Sequence, residues 1–247
     1  MQFPQILPSI SYLSESYSQP MKEDIILCIE TTIQKASVCL TADGIIIGEQ
    51  INLEEGDASS KITVAIQDLM RASSIKLTQL KAIAVNVGPG SYTGLRLGLT
   101  VAKGLCFALK MPLINTSTFE YLTELSVLEF PYIDTHVVLV DARRSDAFCS
   151  IYNKTKGFLP TPEFATINRN WFEVNDLNNC VINGDFFGKL EQEVVEKFSL
   201  IDTGYIPEAR YMVPTVTKKH QSLVFIDIHQ AIPYYIKPPN ITKAKDK

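Results

Sequence analysis

Between Gly88 and Arg96 the chain reads GPGSYTGLR, and this stretch restricts the fold more than any other. The run before it, Ala82–Val87 (AIAVNV), is short and rich in β-branched residues, which predicts a buried strand. Leu95–Leu109 after it has the length and the Ala and Leu content of a helix. The connection holds Gly88, Pro89, Gly90, Ser91, Thr93 and Gly94, so the chain turns sharply there with its amides open. A strand, a glycine-rich turn and a helix start offer free N–H groups to a phosphate, a substrate or another protein.

Spacing removes the standard phosphate loops. A Walker A loop needs a second glycine five residues after the first, followed by Lys and Ser or Thr. Here Gly94 comes one position late and Leu95-Arg96 stands where the lysine pair belongs. The dinucleotide pattern G-x-G-x-x-G fails by one residue as well. Ser91 follows Gly90 directly, so it lacks the G-x-S-x-G elbow of a serine hydrolase.

The rest of the chain reads as mixed α/β. Ile25–Glu30, Ala36–Thr41 and Ile45–Leu53 are predicted strands, with Ala42-Asp43-Gly44 as a hairpin turn. Asp57 is the expected N-cap of a helix to about Ser73, whose Ile62, Ala65, Ile66, Leu69 and Met70 form one apolar stripe. Pro112–Asn115 is extended, and Thr116, Ser117 and Thr118 offer caps to a helix that ends before Pro131. His136–Ala142 is a strand with Ala147–Asn153 as its hairpin partner, echoing the opening of the chain and suggesting a duplicated, two-lobed fold. Val181–Asp185 and Leu223–Ile228 read as strands, and Gly188–Phe198 as a helix. The end, IPYYIKPPNITKAKDK, reads as an extended tail with a mobile portion.

Composition narrows the function classes. A net charge of -4 argues against a stand-alone nucleic-acid binder, and no apolar run reaches the length of a membrane span. Cys28, Cys39, Cys106, Cys149 and Cys180 are scattered without a C-x-x-C pair, which predicts buried free thiols in a reducing compartment, with the cytoplasm as the default location. His136, His220 and His229 lack zinc-ligand spacing. Residues 1–20 lack the basic start and apolar core of a secretion signal and read as a disordered extension, with Met21 a natural start.

Two constellations carry chemistry or contact. Glu30, followed by Thr31 and Thr32, and Asp141, followed by Arg143-Arg144, put acids at strand ends, where two-lobed ATPases hold Mg²⁺ and phosphate. The alternative is that both acids accept hydrogen bonds from turn amides. Gly94, Gly98 and Ala102 line one face of the second helix, which requires a close backbone neighbour, either a partner or the chain's own core. Arg143, Arg144 and the tail lysines Lys237, Lys243, Lys245 and Lys247 could touch RNA phosphates, or form only a solvated surface.

ILCIETT, AIAVNVGPGSYTGLRLGLTVAKGL, VDARRSDAF and PYYIK, in this order and spacing from Met21 onward, resemble the TsaB (YeaZ) family. The resemblance is weak over residues 157–211. It implies a two-lobed actin-like ATPase (ribonuclease H-like) α/β fold: mixed sheets flanked by helices, with a degenerate second lobe. The expected division is an N-terminal lobe over 21–116, a C-terminal lobe over 117–236 and a basic tail over 237–247.

The resemblance further implies a scaffold without activity of its own. It would bind TsaD in a complex with TsaE that forms threonylcarbamoyladenosine next to the tRNA anticodon, with tRNA touched only indirectly and TsaC supplying the activated group. No cofactor of its own is expected, ATP and metal being held by TsaD through an H-x-x-x-H motif that this chain lacks. Asp57-Ala58-Ser59 stands where many relatives carry a lone histidine, and Ser145-Asp146-Ala147-Phe148 departs from the usual Met-Glu-Val-Tyr, so no ligand contact is expected there.

The implied interface, for TsaD or a homodimer, falls on the first two helices, through Ile62, Ala65, Ile66, Leu69, Met70, Leu95, Gly98, Leu99, Ala102 and Leu105. Leucine at Gly98 is expected to abolish partner binding and leave the fold intact. Gly88, Pro89, Gly90, Ser91, Thr93, Gly94 and Arg96 form the family's motif loop, and Glu30, Thr31, Thr32 and Asp141 a vestigial nucleotide site. The rival is an ATP-dependent kinase or ATPase, which needs a second glycine loop, for which only Asn183-Gly184-Asp185 is available.

Overall fold

The computed structural model describes residues 24–33, 35–53, 58–160 and 163–237. The expected extension, the Asp57 cap and the tail beyond Lys237 lie outside them. The first half is β1 (Ile25–Glu30), β2 (Ala36–Ala42), β3 (Ile45–Leu53), α1 (Ala58–Ala72), β4 (Leu80–Asn86), α2 (Tyr92–Leu109), β5 (Leu113–Thr116) and α3 (Thr118–Glu129). The second is β6 (Thr135–Asp141), β7 (Asp146–Asn153), the short pieces β8 (Gly157–Phe158) and β9 (Glu163–Thr166), α4 (Arg169–Val174), β10 (Cys180–Asn183), α5 (Gln192–Lys197), β11 (Ile201–Asp202) and α6 (Val213–Gln221).

The two halves repeat one plan. The first sheet has the order β3-β2-β1-β4-β5, and the second β8-β7-β6-β10-β11 with β9 also paired to β7. In each, the first strand is antiparallel to the second and parallel to the fourth. The echo read from the sequence is therefore a duplication. The second copy is reduced, with a third strand broken in two and six-residue helices.

Three cores stack through the molecule. In β1 all six residues are buried because both faces of the sheet are covered. Ile25, Leu27 and Ile29 join α1 and α2 on one side. Ile26 and Cys28 meet α3 and α6 on the other, in a core shared with Val138 and Val140 of β6. Val137 and Leu139 face the third core, under α4 and α5. The helices α3 and α6 thus lie between the two sheets.

Local chemistry explains the boundaries. Asp43 and Gly44 both take positive φ (51° and 86°), the requirement of a tight β2–β3 hairpin. The helix expected from Leu95 begins at Tyr92, one turn earlier, because the Ser91 side chain accepts from Gly94 N as an N-cap. Ser117 caps α3 in the same way through Glu120 N.

Two expectations are corrected. Leu223–Ile228 is not a strand; Ile226 makes a single bridge to Leu113. Gly188–Phe198 splits into a 3₁₀ turn at Phe187–Lys189 and the short α5. The helices α4 and α6 were not foreseen. The sequence of α6, VPTVTKKHQ, is poor in strong helix formers, and burial of Val213, Thr215 and Val216 between the sheets holds it.

Candidate functional site

A cleft of about 560 Å³ opens between the lobes, where β1 and β6 end. Thr32, Pro89, Gly90, Ser91 and Thr93 line it from the first lobe, and Asp141 and Asp185 from the second. Glu30 and Thr31 do not reach it; Glu30, Thr31 and Thr32 are all buried.

Glu30 is fully engaged by its own chain. One oxygen accepts from Thr32 N (2.7 Å) and Thr32 Oγ1 (2.6 Å); the other accepts from Asn86 Nδ2 (2.6 Å) and Tyr121 OH (2.8 Å). Burial pushes its pKa up, and the hydrogen bonds from Thr32, Asn86 and Tyr121 oppose that shift. Asn86 extends the network, donating to Thr118 Oγ1 (2.8 Å) and accepting from Gly88 N (2.9 Å). The carboxylate thereby ties β1, β4 and α3 to the glycine loop. Asn86 was missed in the sequence, where its only sign is a polar side chain inside the run AVNV.

The glycine loop is equally committed. A Cβ at Gly94 would lie 1.9 Å from the Thr31 carbonyl oxygen, one at Gly98 2.2 Å from Thr31 Oγ1, and one at Gly90 2.5 Å from Thr32. The small-residue face of α2 is therefore the seat of the β1–β2 turn, not a partner's. Thr31 Oγ1 donates to Gly94 O (2.8 Å), and Ser91 N donates to Thr32 O (2.6 Å). Amides that could have cradled a phosphate are thus drawn into local contacts.

The other ten-residue expectation is corrected in the same way. Ile62, Ala65, Ile66, Leu69, Met70, Leu95, Gly98, Leu99 and Ala102 are buried, and Leu105 is half-buried. All of these but Leu95 and Gly98 join the core that holds α1 and α2 to the first sheet. The outer faces of those helices carry other residues: Val64 and Phe107 are 52% and 73% exposed, and among the described residues nothing beyond the helix's own backbone lies within 4 Å of a Cβ built at Gly104, whereas Leu97 and Val101 are half-buried against the same core. Leucine at Gly98 would consequently disturb the fold itself.

Asp141 is held by the second lobe. Lys189 Nζ donates to both its oxygens (2.7 and 2.8 Å), and Arg143 N donates to Oδ1 (2.8 Å). Asp185 accepts from Asp141 N (2.8 Å), and burial raises its pKa. The Asn183-Gly184-Asp185 turn is packed against β6, where a Cβ at Gly184 would lie 2.0 Å from Leu139 O. Among the described residues no group of three His, Cys, Asp or Glu converges on a metal position.

The C-terminal segment walls one side of the cleft. Tyr234 N donates to Val87 O (2.7 Å), and Tyr235 stacks on Tyr92 with ring centroids 4.6 Å apart. Arg96 lies over the Tyr92 ring (4.1 Å to its centroid), donates to Tyr235 OH (3.0 Å) and contacts Tyr92 OH. Lys237 reaches the second lobe, 4.0 Å from the Phe164 ring centroid. Arg96 of the motif loop thus anchors the C-terminal segment. All five cysteines are buried, as expected. Among the described residues no helix is long and apolar enough to cross a membrane.

The duplicated sheet order with a cleft between matching strand ends defines the two-lobed actin-like class of α/β proteins. A family model described as "TsaD: tRNA N6-adenosine threonylcarbamoyltransferase" matches residues 56–161. The chain is 26% identical over 222 residues to the tRNA threonylcarbamoyladenosine biosynthesis protein TsaB of Bacillus subtilis, covering 86% of this chain and 93% of that one. It is 36% identical over 93 residues to the Escherichia coli protein of the same name, covering 38% of this chain and 40% of that one. The YeaZ structure from Pseudomonas aeruginosa superimposes with a TM-score of 0.66 at 20% identity, over 86% of this chain and 99% of that one, and shows the shared fold. These sequence matches support a member of the TsaB (YeaZ) family.

Proposed function

We propose that this chain takes part in forming threonylcarbamoyladenosine on tRNA, as a non-catalytic subunit that binds a TsaD-type partner. The naming of its relatives supports the pathway. The observation that carries the non-catalytic role is the state of the two strand-end acids. Glu30 has both oxygens filled by Thr32, Asn86 and Tyr121, and Asp141 is paired with Lys189. Glu30 cannot hold a metal–nucleotide complex without dismantling a buried network, and Asp141 cannot without giving up its ion pair with Lys189.

The partner surface is the outer face of α1 and α2, with Val64, Gly104 and Phe107 at its centre, and a homodimer would use the same face. A large exposed aromatic beside a glycine with open space over it is suited to receive another helix. Phe107→Glu tests this without touching the core. It should lose co-elution with TsaD and melt within about 2 °C of wild type, since surface changes stay within about 0.5 kcal/mol. Retained co-elution would refute the surface. ATP turnover by the isolated chain, lost in Glu30→Ala, would instead establish the ATPase reading.

A further inference from the structure

Four cations gather at the mouth of the interlobe cleft of a chain whose net charge is -4. Lys35, Arg143 and Lys237 line the cleft. Arg144, next on the same turn, lines a neighbouring depression with Ser145 and Lys189. All four are exposed, and none makes an ion pair among the described residues. The two carboxylates of the cleft do not cancel them. Asp141 is neutralised by Lys189, and Asp185 is turned inward onto Asp141 N.

The β6–β7 turn is built to present its two arginines. Arg143 and Arg144 both take positive φ (77° and 56°), a conformation that turns ordinarily give to Asn or Gly. Asp141 Oδ1 fixes the Arg143 amide at 2.8 Å, and Lys189 Nζ fixes the Arg144 carbonyl at 3.2 Å. Asp141 and Lys189 thus work as a pin under the turn, and their charges offset each other. The arginines are left with a net double positive charge, and Arg143 shares the cleft lining with Tyr234 and Tyr235 (40% and 36% exposed). Cations without carboxylate partners, next to aromatic faces, match the backbone and bases of a nucleic-acid strand.

We propose that this rim, Lys35, Arg143, Arg144 and Lys237, binds the phosphate backbone of RNA, so that the chain touches the tRNA directly. The choice of RNA rests on the tRNA-modification reading above. The test is fluorescence anisotropy of a labelled tRNA transcript titrated with the full chain at several salt concentrations. The informative variant is Arg143→Asn with Arg144→Gly, because both new residues suit the left-handed turn and the fold is kept. A melting curve confirms that.

Each phosphate contact contributes about 0.7–0.9 to the slope of log K against log salt. The double variant should therefore lower that slope by about 1.4–1.8 and weaken binding at least about tenfold at low salt. Lys35→Ser with Lys237→Ser should add a similar loss. Absence of wild-type binding at about 50 mM salt, where phosphate contacts are strong, would overturn the proposal. So would an unchanged slope in the variants, or displacement of the RNA by polyglutamate at matched charge. A chain that binds tRNA in this way but is dispensable for modification supports the surface and refutes the proposed function. A chain required for modification whose salt slope ignores these residues does the reverse.

Discussion

Alanine at Gly98 and alanine at Gly104 should shift stability in opposite directions, although both glycines sit inside the same helix. Removing an interior glycine favours a helix by about 1 kcal/mol at either site. At Gly104 nothing among the described residues beyond the helix's own backbone lies within 4 Å of the new Cβ, so that gain stands alone. At Gly98 the new Cβ would lie 2.2 Å from Thr31 Oγ1 and 3.3 Å from Thr31 Cβ and Cγ2. Thr31 must rotate, and its hydroxyl, buried at 2% exposure, gives up the 2.8 Å bond to Gly94 O. An unsatisfied buried hydroxyl costs about 1–3 kcal/mol and overpacking a further ~1–3 kcal/mol. Net of the helix gain, Gly98→Ala should lose about 2–4 kcal/mol.

For a chain of this size 1 kcal/mol moves Tm by about 2–4 °C. Thermal unfolding followed by circular dichroism should then show Gly98→Ala about 5–15 °C below wild type and Gly104→Ala about 1–4 °C above it. Equal shifts of one sign would refute the claim that the small-residue face of α2 is occupied by the chain's own β1–β2 turn.

Glu30→Ala strands donors from Thr32, Asn86 and Tyr121 and should cost at least about 3 kcal/mol in urea unfolding; a loss under 1 kcal/mol would contradict the network. His136 is buried between Ser126 Oγ (2.9 Å) and Ile133 O (3.0 Å), and burial lowers its pKa below 6.5. The folded state therefore binds fewer protons than the unfolded one. Its contribution is full above about pH 6.5 and is lost as pH falls through the folded pKa. His136→Gln should flatten that part of the stability profile. Tyr235→Ala removes the Tyr92 stack and should speed exchange of the Tyr234 amide without lowering the protection of β1. The five thiols should resist Ellman's reagent in the native chain and all react in urea, since burial holds Cys39, Cys106 and Cys180 at about 12.

Much of the first lobe was legible because its signals are local. IILCIE, the Asp43-Gly44 turn and the Ile62–Met70 stripe each carry their own period or turn chemistry, and each formed as read. The helices α4 and α6 were not, because RNWFEV and VPTVTKKHQ draw their stability from tertiary burial and from the Asn168 cap rather than from propensity. The strand-end acids were found, since position alone marks them. Their partners Asn86, Tyr121 and Lys189 come from 56, 91 and 48 residues away, and no local pattern announces them. The apolar faces of α1 and α2 were misread for a related reason. Periodicity identifies an apolar stripe but not which body covers it, and the stripe here covers the first sheet.

The direct measurement of function is the yield of threonylcarbamoyladenosine in a tRNA transcript incubated with TsaC, TsaD, TsaE, ATP, threonine and bicarbonate, with and without this chain. Formation that depends on the chain is the predicted result. Formation that proceeds equally without the chain would contradict its role as a required subunit.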